Sequence, residues 1–166
     1  MVHIHSFPPI ARTGARLLIL GSMPGKVSLR ERQYYAHPQN AFWRIAGEVF
    51  GFDAQAAYRT RAASLAASGV ALWDVLKSCT RASSLDSDIV GSSIVPNDIG
   101  GFLARHPRVR RICFNGAKAE ELYVRHVRPL LPDRPDISYL RLPSTSPAHA
   151  SIPFSKKLRA WRAASL

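Results

Sequence analysis

Four short apolar runs, each stopping at a loop of small, polar and turn-forming residues, limit most strongly what this chain can fold into. Leu17-Leu18-Ile19-Leu20 stops at Gly21 and Val70-Ala71-Leu72-Trp73 at Asp74. Val109 to Phe114 stops at Asn115-Gly116, and Ile137 to Leu142 at Pro143. Runs this short, mainly apolar and bounded by turn residues, read as buried strands. Helical patterns lie between them. Pro38 suits the first turn of a helix, and Phe42, Ile45, Ala46, Val49 and Phe50 then follow at helical spacing until Gly51 ends the stripe. Ala54 to Ser68, Asn97 to Arg105 and Ala117 to Val127 are further helices; a last one begins near Pro153, with Phe154, Leu158 and Trp161 on one face.

Strand and helix alternate along most of the length. The expected fold is therefore α/β: a three-layer α/β/α sandwich with a central, mainly parallel sheet of about four strands. The chain has 166 residues, which at roughly 100–200 residues per domain makes residues 1–166 a single domain. No repeat or linker interrupts it, and Ser78 to Pro96, rich in Ser and Asp, reads as a long surface connection.

Composition narrows the partners. Hydrophobic residues make up 46% and charged residues 20%, enough apolar side chain for a sizeable core. Twenty-three Lys+Arg against 11 Asp+Glu give a net charge of +12, which favours a polyanion and most simply nucleic acid. No apolar run approaches the ~20 residues of a membrane span, and the segment Met1 to Pro9 lacks the pattern of a signal peptide. A soluble, cytoplasmic protein is expected. Two cysteines, Cys79 and Cys113, cannot build a disulfide framework, a four-cysteine zinc site or a cysteine-ligated iron–sulfur cluster. The six histidines are scattered with no i, i+4 pair, so neither metal nor cofactor is expected.

Ligands of open parallel sheets bind beyond the carboxyl ends of the strands. The residues there are Gly21-Ser22-Met23-Pro24-Gly25, Trp73-Asp74, Asn115-Gly116 and Pro143 to Ala150. Any one of these loops alone is also consistent with ordinary turn chemistry.

Taken in order, they carry a resemblance. Gly21-Ser22-Met23-Pro24-Gly25 followed by Tyr34-Tyr35-Ala36-His37-Pro38-Gln39-Asn40-Ala41-Phe42-Trp43 is similar to the Gly-x-Asn-Pro-Gly loop and aromatic-Ala-His-Pro-x-Asn-x-Phe-Trp segment of the mismatch-specific uracil/thymine glycosylases. These belong to the uracil-DNA glycosylase superfamily. Gln33 to Pro38, Leu72-Trp73-Asp74-Val75, Ser84 to Ile89, Phe114-Asn115-Gly116 and Pro143 to Ala148 resemble most closely the hypoxanthine (deoxyinosine) DNA glycosylase branch. The matches run from Phe7 to Pro153.

The resemblance implies a monofunctional DNA glycosylase that hydrolyses the N-glycosidic bond of a flipped deaminated base, hypoxanthine first. It would leave an abasic site in base excision repair, act as a monomer on duplex DNA without a cofactor, and associate with the nucleoid. Met23 occupies the slot of the asparagine that positions water, and a thioether cannot do this through a strong hydrogen bond. The hypoxanthine branch implies that Asn40 has the catalytic role; the alternative is a helix-start residue bonding to neighbouring backbone. Tyr35 would stack on the base, unless it is a core tyrosine. Backbone N–H groups of the Gly21–Gly25 loop, with the amide of Asn115, would stabilise the departing base, and Gly21, Ser22 and Met23 would bind it; Asn115 is alternatively a turn residue before Gly116. Ser144, Thr145, Ser146, Pro147, Ala148 and His149 match the intercalating loop, with His149 at a phosphate or groove or simply solvated. Asp74 would orient water or a loop, or be a hydrogen-bonding turn residue.

Arg30, Arg32, Lys118, Lys156, Lys157 and Arg159 supply candidate phosphate contacts. Lys26 is the only lysine near the first loop, and nothing suggests a covalent lyase step. Three other readings stay open: a uracil glycosylase acting on G·U mismatches, a damaged-DNA-binding module without turnover, and a serine hydrolase using Ser22 or Ser146 with His149. The last lacks the Gly-x-Ser-x-Gly order of a nucleophile elbow.

Overall fold

The computed structural model describes residues 1–165. In chain order the strands are β1 (Val2–His5), β2 (Leu17–Gly21), β3 (Val70–Asp74), β4 (Leu76–Arg81), β5 (Val95–Pro96), β6 (Arg111–Asn115) and β7 (Ser138–Leu142). The helices are α1 (Lys26–Glu31), α2 (Phe42–Phe50), α3 (Tyr58–Ala67), α4 (Ile99–Arg105), α5 (Ala117–His126) and α6 (Phe154–Trp161). The four apolar runs form one parallel sheet in the order β3-β2-β6-β7.

Alternate side chains of this sheet feed two cores. Leu18, Leu20, Ala71, Trp73, Ile112 and Phe114 pack with Phe102 and Leu103 of α4 and Leu122 and Tyr123 of α5. Leu17, Ile19, Val70, Leu72 and Cys113 pack with Phe42 and Ile45 of α2, Leu65 of α3 and Trp161 of α6. The period-2 geometry of a strand divides its residues in this way, and covering both faces gives the expected three layers.

Two expectations need correction. Ser78 to Pro96 is not wholly a surface connection. Only Val75 separates β3 from β4, and β4 pairs antiparallel with both β1 and β5 in a second, three-stranded sheet. The inward positions of β4 include Ser78 and Arg81, both buried, so a hydrophobic pattern cannot reveal it. The second correction concerns Asn40, which is not in the first turn of α2. The helix starts at Phe42, because the Ala41 N–H donates to the Thr145 carbonyl (3.0 Å) and ties the preceding turn to the loop after β7.

The register places the site. Gly21 lies opposite Asp74, Leu20 opposite both Trp73 and Phe114, and Asn115 opposite Leu142. The carboxyl ends of all four strands therefore form one row. Because Leu18 is fully buried in the central strand, Leu18→Ala is expected to destabilise the fold by about 2–5 kcal/mol. A lower denaturant midpoint at unchanged slope would show it.

Candidate active site

A cavity of about 320 Å³ opens beyond that row. It is lined by the Gly21–Ser28 segment, Tyr34, Tyr35, His37, Asn40, Asp74, Ser84 to Ser87, Asn115 and Ser144 to His149. Every site residue expected from the sequence reaches this cavity: Asn40, Gly21, Ser22, Met23, Tyr35, Asn115 and the six loop residues from Ser144 to His149.

The wall around Asn40 is one hydrogen-bonded unit. Asn115 Nδ2 donates to Thr145 Oγ1, and Thr145 N–H donates back to Asn115 Oδ1, each at 3.0 Å. Thr145 O in turn accepts from Ala41 N–H. Asn40 Oδ1 accepts from Phe42 N–H at 2.9 Å, so Asn40 both opens α2 and faces the cavity. The two readings of Asn40 are compatible, because a carbonyl oxygen has a second lone pair for water. Asn115 is more than a turn residue, since its amide locks the end of β6 to the loop after β7. Gly116 follows at φ +94°, and a Cβ there would lie 3.0 Å from Ser144 Cβ; only glycine serves.

Tyr35 is held at φ 54°, an unusual conformation for a bulky residue. Its surroundings enforce it. Tyr34 Oη donates to Pro8 O (2.8 Å), Trp43 Nε1 donates to Tyr34 O (2.8 Å), and Ala36 N–H donates to Ser28 Oγ (3.1 Å). One ring face of Tyr35 stacks on Phe42, with centroids 4.3 Å apart, while the residue also lines the cavity. A platform backed by a second ring results.

Asp74 differs most from its expected role. It is only 3% exposed, and its Oδ2 has no hydrogen-bond partner, so it is no ordinary turn aspartate. Gly21 permits its position: a Cβ there would lie 2.6 Å from Asp74 Oδ1 and 2.7 Å from Tyr35 Oη. Tyr35 Oη is likewise buried and unpartnered; the Asn115 amide comes near enough to temper its raised pKa, but not within hydrogen-bond geometry. Burial pushes the Asp74 carboxyl up to about 7, with the charge of Asp86 adding and that of Arg81 opposing. Arg81 is buried and donates to Pro24 O at 2.6 Å, bracing the first loop from behind. Ser22 Oγ donates to Asp86 Oδ1 at 2.7 Å, fastening that loop to the Ser84–Asp88 segment.

Other expectations divide. Met23 is 7% exposed and packs in the core with Leu20 and Trp73, an apolar wall rather than a holder of water. Ser22 bonds to Asp86, and Ser146 Oγ accepts from Ala148 N–H; neither hydroxyl meets a histidine, which removes the serine-hydrolase reading. His149 is exposed and moderates the raised pKa of Asp86, as does Lys118. Lys157 is 4% exposed and so is not an open phosphate contact; it lies on the packed side of α6. Arg30 and Lys118 are paired with Glu31 and Glu121. Asp86 was not singled out from the sequence, although Ser84 to Ile89 carried part of the resemblance. Among the described residues no group of three or more His, Cys, Asp or Glu could hold a metal ion.

A carboxyl with a raised folded pKa binds its proton more tightly in the native state. Its contribution is therefore present at low pH and lost as pH rises from about 4 toward about 7. Asp74→Asn is expected to gain on the wild type over this range, by several degrees in melting temperature at pH 8. Thermal unfolding followed across pH checks this.

Comparisons with known proteins agree with this architecture. The model of the uracil DNA glycosylase superfamily matches residues 8–165. A hypoxanthine DNA glycosylase of Methanosarcina acetivorans is 41% identical over 116 residues, covering 69% of this chain and 72% of that protein. One from Methanosarcina barkeri is 39% identical over the same lengths. The solution structure of a provisionally assigned uracil DNA glycosylase from Methanosarcina acetivorans superposes with a TM-score of 0.81 at 34% identity, over 98% of this chain and 96% of that one. With its sheet, its loops and nearly its whole length accounted for, the chain belongs to the uracil DNA glycosylase superfamily and is a DNA glycosylase.

Proposed function

We propose that the protein is a monofunctional enzyme that removes a flipped deaminated base, hypoxanthine foremost, from duplex DNA and leaves an abasic site. The observation that carries this reading is the convergence of Asn40, Tyr35 and the Gly21–Met23 loop on one cavity. Two relatives at about 40% identity that are named hypoxanthine DNA glycosylases support the choice of base.

Extruding the nucleotide costs a few kcal/mol, offset by stacking on Tyr35 with Phe42 behind it. Asn40 Oδ1, already accepting from Phe42, accepts a hydrogen bond from the attacking water with its remaining lone pair and directs the water's oxygen at C1′, and the proton the water loses passes through solvent to the departing base. The C1′–N bond breaks, its electron pair stays on the base, and the hydroxyl remains on the sugar. Backbone N–H groups of Gly21, Ser22 and Met23 meet the charge on the departing base. The Ser144–His149 loop grips the flanking backbone and enters the space the nucleotide vacates. Lys26, exposed at the cavity rim, is not the desolvated amine that a lyase step uses. The net charge of +12 provides the non-specific attraction to phosphate, acting as a monomer in the cytoplasm and nucleoid. No described helix is long and apolar enough to cross a membrane.

Duplex oligonucleotides carrying deoxyinosine or deoxyuridine, incubated with purified protein and then cleaved with alkali, test the reading. Deoxyinosine strands are expected to be cut faster. Preferential cutting of deoxyuridine opposite guanine would transfer the assignment to a uracil enzyme, and no cutting by wild type would leave a binding module. Asn40→Ala is expected to lower base release about 100-fold or more while duplex binding persists. Binding should weaken steeply between low and moderate salt, and borohydride should trap no protein–DNA adduct.

A further inference from the structure

The Asp74 carboxyl is an unexplained buried group. It stands at the carboxyl end of β3, lines the cavity, and leaves Oδ2 without a partner. Native structures rarely bury a polar atom unpaired unless something else completes it. Gly21, opposite in the register, has no side chain to come between Asp74 and the cavity.

Building on the function proposed above, we propose that Asp74 acts on the flipped base in its protonated form, its hydroxyl donating to the exocyclic carbonyl oxygen while its own carbonyl accepts from the adjacent ring N–H. Both hypoxanthine and uracil present that pair of groups side by side. A neutral carboxylic acid matches both with one side chain, whereas a carboxylate only accepts and would face the carbonyl oxygen with like charge. The donor matters most as the glycosidic bond breaks. Electron density then spreads from the ring nitrogen to the carbonyl oxygen, and a hydrogen bond that strengthens with that charge favours the transition state over the bound substrate. The proton stays on Asp74 throughout; the carboxyl is a donor and not an acid in turnover.

Burial, helped by the charge of Asp86, keeps the group mostly neutral below pH 7. On the Ser84–Asp88 segment Asp86 raises its pKa, and on β4 Arg81 lowers it, with burial the largest cause and a resulting value of about 7. On the loop before α2, Tyr34 and Tyr35 are both held far above the usual tyrosine range by burial, and so remain uncharged. Lys118 and His149 face Asp86 from α5 and the loop after β7. A carboxyl kept protonated near neutral pH in order to donate is an established device of apolar active sites.

Second-order rate constants for base release from a deoxyinosine duplex, measured from pH 5.5 to pH 8, test the proposal; this range stays below ionisation of the base itself. Wild type is expected to lose about tenfold between pH 6 and pH 8. In Asp74→Asn, whose amide donates at every pH, the same ratio is expected to fall below about twofold, whatever the absolute rate. Asp86→Asn should move the wild-type decline to lower pH, because it removes the charge that raises Asp74. A decline in Asp74→Asn as steep as in wild type, with matching circular dichroism, would overturn the role of Asp74 and leave the glycosylase reading intact. Wild type that releases no base at any pH would overturn both.

Discussion

Parallel register in a single four-stranded sheet is the constraint on which the site depends. Parallel strands end together, and with Gly21 paired to Asp74 and Asn115 to Leu142, four loops distant in sequence emerge at one edge. Both faces of the sheet are sealed by helices, so the row of strand ends is where backbone and polar side chains can meet a ligand without losing the core. The same register sets Asp74 beside Gly21, where the missing side chain admits a carboxyl and a tyrosine hydroxyl to contact distance.

Around that row the polar groups fall into two kinds. Hydrogen bonds join Asn115 to Thr145 and Thr145 to Ala41, and Asn40, next to Ala41 in sequence, accepts from Phe42 N–H; together they fix the cavity wall. Asp74 and Tyr35 present buried oxygens with no partner. Satisfied groups give rigidity, and unsatisfied ones retain the capacity to bind. The proposed reaction, in which a base is recognised and water is held in line, needs both. Arg81 belongs to the support: it braces Pro24 from within the antiparallel sheet and limits how far Asp74 is driven toward its neutral form.

Two structural lessons come from segments that hydrophobic patterning passes over. β4 carries buried Ser78 and Arg81 where a strand would ordinarily show apolar residues, and its identity as a strand is fixed by pairing with β1. Lys157 shows the converse. Its charge suggests a surface residue, yet α6 turns it toward packed chain, and the helix phase rather than the residue type decides its exposure.

The order and nature of the apolar runs, their turn-forming ends and the stripe from Phe42 to Phe50 determined by themselves a parallel α/β sandwich with a ligand site at the strand ends, because period and run length are local properties of the chain. The motif from Tyr34 to Trp43 likewise made Asn40 and Tyr35 legible as candidates. Tertiary structure alone decided that Asn40 bonds the first N–H of α2 while facing the cavity, that Asn115 clamps a loop, and that Asp74 is buried, with Oδ2 unpartnered, and raised in pKa. Those properties arise from desolvation and from neighbours that folding sets beside the site, such as Asp86 and Arg81 around Asp74 and Thr145 around Asn115, and no local pattern contains them.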